Sequence, residues 1–96
     1  MHLKSLRGMI LEFLNKIYPN MVVEFDIIGV FYRDYRDKYI LKALSYLTDK
    51  GYVEAIKRSH PVRRYEEQVF YKITPKGIDL LDGTENDNGI LLEDKE

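Results

Sequence analysis

The sequence contains no cysteine and only two histidines in 96 residues. Without thiols there is no disulfide framework and no thiolate metal site, and the expected location is the cytoplasm. His2 and His60 each stand without the serine or carboxylate partners that nucleophilic or acid–base catalysis needs. Glycine is too sparse for a phosphate-cradling loop, since Gly77-Ile78-Asp79 and Gly83-Thr84 lack the spacing. Asp26, Asp34 and Asp37 could be drawn as metal ligands, but two of them sit where helix caps belong. The expectation is therefore no enzyme, no metal and no cofactor. Long apolar runs are missing too: none approaches the ~18–20 residues that cross a bilayer. The opening MHLKSLRGMILEFLNK carries a charged or polar group every few residues, unlike the apolar segment of a signal peptide.

What is present is a globular composition, 45% hydrophobic and 32% charged, of a length that suits one domain. The net charge of −1 conceals an asymmetry. Residues 1–82 carry 14 Lys and Arg against 11 Asp and Glu, which is +3. Residues 83–96 set Lys95 against Glu85, Asp87, Glu93, Asp94 and Glu96, which is −4. The sequence thus divides into a domain, 1–82, and an acidic C-terminal tail, 83–96, expected to be mobile. Within the tail, Ile90-Leu91-Leu92 forms a small apolar plug for this chain or for a second copy.

Hydrophobic periodicity supplies the elements. Leu3, Leu6, Ile10, Phe13, Leu14 and Ile17 share one face of a helix over 3–17, with Gly8 marking a close approach by another element. Met21-Val22-Val23 is short, apolar and β-branched, a small strand. Asp26 is expected to cap a second helix holding Ile27, Ile28, Val30 and Phe31. Asp37 is expected to cap a third over 38–50, where Ile40, Leu44 and Leu47 fall at i, i+4 and i+7. Gly51 ends it, because a helix stops readily at a residue that tolerates positive φ. Two strands follow, 52–57 and 68–73, around a long basic connection. Thr74-Pro75 then opens a short last helix that Gly83 closes. This order is an α+β winged helix-turn-helix: a three-helix core, a two- to three-stranded β-wing and a short C-terminal helix.

Two basic groups stand out against that layout. Arg33 and Arg36 precede the third helix, and Lys38 and Lys42 follow one turn apart within it. An anion there would offset the unfavourable meeting of cations with a helix N-terminus. The competing reading is a solvated network of pairs such as Arg33–Asp37. In the hairpin connection Lys57, Arg58, His60, Arg63 and Arg64 gather five groups able to carry positive charge, with Tyr65 beside them. Such contacts would position nucleic acid rather than read it. Five of the eight tyrosines, Tyr32, Tyr35, Tyr39, Tyr46 and Tyr52, lie between residues 32 and 52. Tyr32 and Tyr52 are assigned to the rim of the core, and Tyr39 to nucleic acid.

Two runs carry a family resemblance. Leu44-Ser45-Tyr46-Leu47-Thr48-Asp49-Lys50-Gly51-Tyr52-Val53 and Tyr71-Lys72-Ile73-Thr74-Pro75-Lys76-Gly77-Ile78-Asp79-Leu80-Leu81 resemble the recognition-helix end and the wing exit of PadR- and MarR-type transcriptional regulators. With the first two helices the resemblance covers about residues 3–82, a minimal form without the dimerisation helices of those groups. It implies binding of double-stranded DNA as a small transcriptional regulator. Lys38, Tyr39 and Lys42 would enter the major groove, Arg36, Lys57, Arg58, Arg63 and Arg64 would lie on phosphates, and Arg33 is a further DNA-binding candidate. A homodimer would let two half-site contacts add. Two further expectations compete: a winged helix that docks on protein through its tyrosines and binds no DNA, and a tail that covers the basic surface.

Overall fold

The computed structural model describes residues 3–92. Its elements are α1 (Leu3–Lys16), β1 (Val22–Val23), α2 (Glu24–Phe31), α3 (Asp37–Asp49), β2 (Val53–Ser59), β3 (Glu67–Ile73) and α4 (Pro75–Leu81). The apolar spacing of α1 buries Leu6, Ile10, Leu11 and Leu14 completely, with Leu3, Phe13 and Ile17 at the margin. Against this face pack Ile40, Ala43, Leu44 and Leu47 of α3, all buried in the same core. Phe13 meets Phe31 edge to face, ring centroids 6.0 Å apart, and so ties α2 to α1.

The sheet has the order β1-β3-β2, all antiparallel. The hairpin register runs from Val53↔Ile73 at the core to Ser59↔Glu67 at the far end, two residues beyond the expected limit of the first strand. β1 adds only Val22↔Tyr71 and Val23↔Phe70. That short pairing explains why α2 starts earlier than its sequence suggests. The ladder fixes Val23 in extended backbone, and the helix begins at the next residue, Glu24, with no side-chain cap. Asp26 lies inside the first turn instead of capping it, where its charge and that of Glu24 suit the helix dipole. Asp37 departs in the same way. It is the first helical residue, Arg36 holds the cap position, and the Asp37 carboxylate accepts only the Lys38 N–H, at 2.9 Å.

The other helix ends follow the sequence. α3 stops at Gly51, which adopts φ +85. The Thr74 hydroxyl oxygen accepts the Gly77 N–H at 3.2 Å, caps α4 behind Pro75, and donates to the Gly51 carbonyl at 2.6 Å. One side chain therefore links the end of α3 to the start of α4.

Residues 84–92 lie back across the helices. Ile90 enters the core and is only 7% exposed, while the Leu91 N–H donates to the Lys4 carbonyl at 3.0 Å. Arg7 stacks its guanidinium 3.6 Å from the Tyr46 ring centroid and donates to the Gly89 carbonyl at 2.9 Å. Gly8 is the close approach that its sequence position suggests: a Cβ there would run into the Leu91 carbonyl. Asp87, its side chain 8% exposed, accepts from the Tyr52 hydroxyl and the Gly89 N–H, both at 2.7 Å, and lies 3.2 Å from the Lys50 ammonium. The mobility expected of the tail is thus set against specific anchors for its first part, and residues 93–96 lie outside the described residues. Burial acts to raise the Asp87 pKa, but the Tyr52 hydroxyl, the Gly89 N–H and Lys50 outweigh it and hold the carboxyl below its usual range. Burial, then the bond to Asp87, pushes the Tyr52 hydroxyl up to about 12.

Two outcomes test this strap. In Gly8→Ala, helix propensity alone would stabilise by about 1 kcal/mol. The Leu91 contact reverses the sign, so urea denaturation should find the variant less stable. Because the folded Asp87 carboxyl titrates below its unfolded value, its contribution is present above about pH 4 and lost as pH falls further. Asp87→Asn should cost about 1–2 kcal/mol at pH 7 and progressively less as the pH falls below 4, measured by the same denaturation across that range.

Candidate nucleic-acid interface

Burial of one face of α3 decides what the other presents. With Ile40, Ala43, Leu44 and Leu47 turned inward, Lys38, Lys42 and Ser45 form an exposed stripe at i, i+4 and i+7, with Asp49 one turn on. Tyr39 does not belong to it. Its ring is half-buried against the core, with the Lys38 ammonium 5.1 Å from its centroid. Arg33 is exposed in the turn before the helix, and Arg36 is exposed at the cap position in extended backbone. Among the described residues, none of Arg33, Arg36, Lys38 or Lys42 has a carboxylate within 4.0 Å, so the ion network considered as the alternative is not formed. Tyr52 is buried, as assigned, but Tyr32 is 64% exposed. It follows the last turn of α2, beyond the reach of the core that holds Ile27 and Phe31.

The hairpin divides its cations. Successive strand residues face opposite sides of a sheet. Lys57 therefore shares a face with Val53 and Ala55, whose partners Ile73 and Tyr71 are core residues. Arg58 lies on the other face with Glu54 and Ile56. Both are exposed, because the core ends before this part of the hairpin. The loop 60–66 then carries Arg63 and Arg64, both exposed. Arg63 lies 3.7 Å from Glu66 across an exposed pair, a contact worth at most about 1 kcal/mol. His60 has a local structural part: its Nδ1 accepts the N–H groups of Val62 and Arg63 at 3.1 and 3.0 Å, so the ring caps the turn. No spacing in the sequence singles out a capping histidine.

The strap meets Lys4, Arg7, Lys50 and Tyr52, none of them among the nine candidate residues. Tyr71, at the centre of β3, donates its hydroxyl to Glu24 at 2.9 Å; burial first, then that carboxylate, raises its pKa. This contact fixes α2 on the sheet and is structural. Among the described residues no group of three His, Asp or Glu side chains is arranged to hold a metal ion. No described helix is long and apolar enough to cross a membrane.

A helix pair ending in an outward-facing α3, followed by a three-stranded sheet with a projecting hairpin, can now be compared with known structures. It matches the crystal structure of Bacillus subtilis PadR in complex with operator DNA with a TM-score of 0.60 over 96% of this chain. The fold is a winged helix. In that alignment 19% of residues are identical, and the chain spans 55% of the PadR chain, about half its length. No protein-family model matches the sequence, and no curated protein matches it. Within the winged helix, α2 and α3 form the helix-turn-helix, and β2 and β3 form the wing.

Helix α3 separates charge from packing, and this can be measured. Lys38→Ala with Lys42→Ala should leave stability within about 0.5 kcal/mol. Tyr39→Ala should cost about 1–2 kcal/mol, because much of its ring leaves water on folding. A thermal melt of each variant separates the two; equal stability would show that Tyr39 is not packed.

Proposed function

We propose that this winged helix binds double-stranded DNA and acts as a small transcriptional regulator. The observation that carries the reading is the outward stripe of α3, in which Lys38, Lys42 and Ser45 are exposed and free of carboxylate partners among the described residues. A helix of this kind fits the major groove, where lysines reach phosphates and the O6 and N7 acceptors of guanine. Arg33 and Arg36 flank its N-terminal end, and Arg58, Arg63, Arg64 and Lys57 extend the positive charge along the wing toward phosphates. The structural neighbour was crystallised with operator DNA, which supports the same partner here. Tyr39 has a smaller part than its sequence position suggests, since packing already uses much of its ring. The competing reading, protein docking through the tyrosines of α3, is weakened because Tyr39 and Tyr46 are both half-buried.

Phosphate contacts release counterions, so the test is salt. For about four neutralised phosphates, affinity for random duplex should fall roughly a hundredfold between about 50 and 200 mM salt. Lys38→Ala with Lys42→Ala should weaken binding and flatten that slope. Fluorescence anisotropy with a labelled duplex measures both, and absence of duplex binding at the lower salt would sink the proposal.

A further inference from the structure

The strap carries the one Asn-Gly pair of the sequence, Asn88-Gly89, and the duplex interface makes no use of it. Packing requires the glycine: a Cβ at position 89 would run into the Tyr46 hydroxyl. The same lack of a side chain leaves the Gly89 nitrogen open to the amide carbon of the residue before it, the arrangement in which asparagine is least durable. Asn88 is exposed, and among the described residues its side chain makes no hydrogen bond, so its amide is free to turn toward the backbone.

What holds that chemistry back is the use already made of Gly89. Its N–H donates to Asp87 Oδ1 at 2.7 Å, and its carbonyl accepts from Arg7 at 2.9 Å. On one side Asp87 is clasped by the Tyr52 hydroxyl and Lys50, and on the other Ile90 is buried in the core. A nitrogen whose proton is given to a carboxylate is hard to deprotonate. A peptide fixed on both sides cannot rotate to close a ring. Ring closure therefore waits on local opening of the strap.

We infer that Asn88 is a site of self-modification that the seated strap guards and strap opening exposes. In the opened segment the Gly89 nitrogen gives up its proton and bonds to Asn88 Cγ. The Cγ–Nδ2 bond breaks, and ammonia leaves with that proton. Water then opens the cyclic imide, and nothing is oxidised or reduced. Cleavage between Cγ and the imide nitrogen leaves aspartate at position 88; cleavage between that nitrogen and the main-chain carbonyl carbon leaves isoaspartate. The isoaspartyl product inserts a methylene into the main chain between Asp87 and Gly89. The anchors on Tyr52 and Arg7 are set by the ordinary peptide spacing, so both cannot reseat. A passing opening is thereby made permanent, and a chain that has once lost its strap contacts for long enough keeps a loose strap.

The test ages the full chain at neutral pH and physiological temperature, with and without denaturing urea, beside Asp87→Ala. Fragment-ion mass spectrometry reads each asparagine. The mass change from amide to acid separates conversion at Asn88 from isomerisation at Asp82-Gly83, which alters no mass. Conversion should be slow in the seated strap and at least about tenfold faster in urea, the factor that loss of one hydrogen bond to a charged group makes in an opening equilibrium. Asp87→Ala, checked as folded by circular dichroism, should convert about tenfold faster without urea. Asn15, Asn20 and Asn86, none followed by glycine, should stay amides. Chymotrypsin should cut the isolated isoaspartyl chain at Leu91 and Leu92 several-fold faster than wild type, and should cut Asn88→Asp, with its normal linkage, no faster. Equal wild-type rates with and without urea, or an unchanged rate in folded Asp87→Ala, would show that the strap guards nothing. An isoaspartyl chain as resistant as wild type would show that conversion does not free the strap.

Discussion

Complete withdrawal of Ile40, Leu44 and Leu47 from water is the constraint on which the rest of the molecule depends. Each such side chain contributes roughly 1.5–3 kcal/mol, and together they fix the rotation of α3 about its own axis. Once that rotation is set, the helical period leaves no choice about which residues stand outside. Lys38, Lys42 and Ser45 are presented because the opposite side is occupied. The exposed stripe is thus a by-product of the core, held by packing rather than by bonds among its own charges.

The same reasoning shows how much the sequence discloses. Elements whose signal is local read well: the spacing of the α3 core residues, the Gly51 stop and the Thr74-Pro75 start all report on a few neighbouring residues. Gly8 read well too, because a glycine in a helix carries a cost that only a close neighbour explains. The caps of α2 and α3 did not. Asp26 and Asp37 have the right chemistry, but the point where a helix begins is set by the chain that feeds it, and Val23 is held by Phe70 from far along the sequence. The wing cations were legible as a composition and not as an arrangement. Strand alternation sends Lys57 and Arg58 to opposite faces, and His60 is drawn inward by two backbone groups.

The strap is the clearest case of information spread along the chain. The acidic stretch reads as loose apart from Ile90-Leu91-Leu92, whose apolar run marks a plug without disclosing where it seats. Its anchors lie in α1, at the end of α3 and at the start of β2: Lys4, Arg7, Tyr46, Lys50 and Tyr52. The Asp87 carboxylate does on this side what Thr74 does on the other, joining segments that share no secondary structure. Charge that counts as a deficit in the composition is here consumed locally, by Lys50 and by two neutral donors.

The order of the sheet leaves β2 at one margin, with half of its main-chain donors and acceptors turned away from β3. A bare ribbon of that kind invites a second chain to extend the ladder. Glu54, Lys57 and Arg58 lie along it, all exposed. An incoming copy that matched register would bring equal signs face to face, whereas a polyanion would not. Glu54, Lys57 and Arg58 therefore discourage the parallel, in-register stacking from which fibres grow.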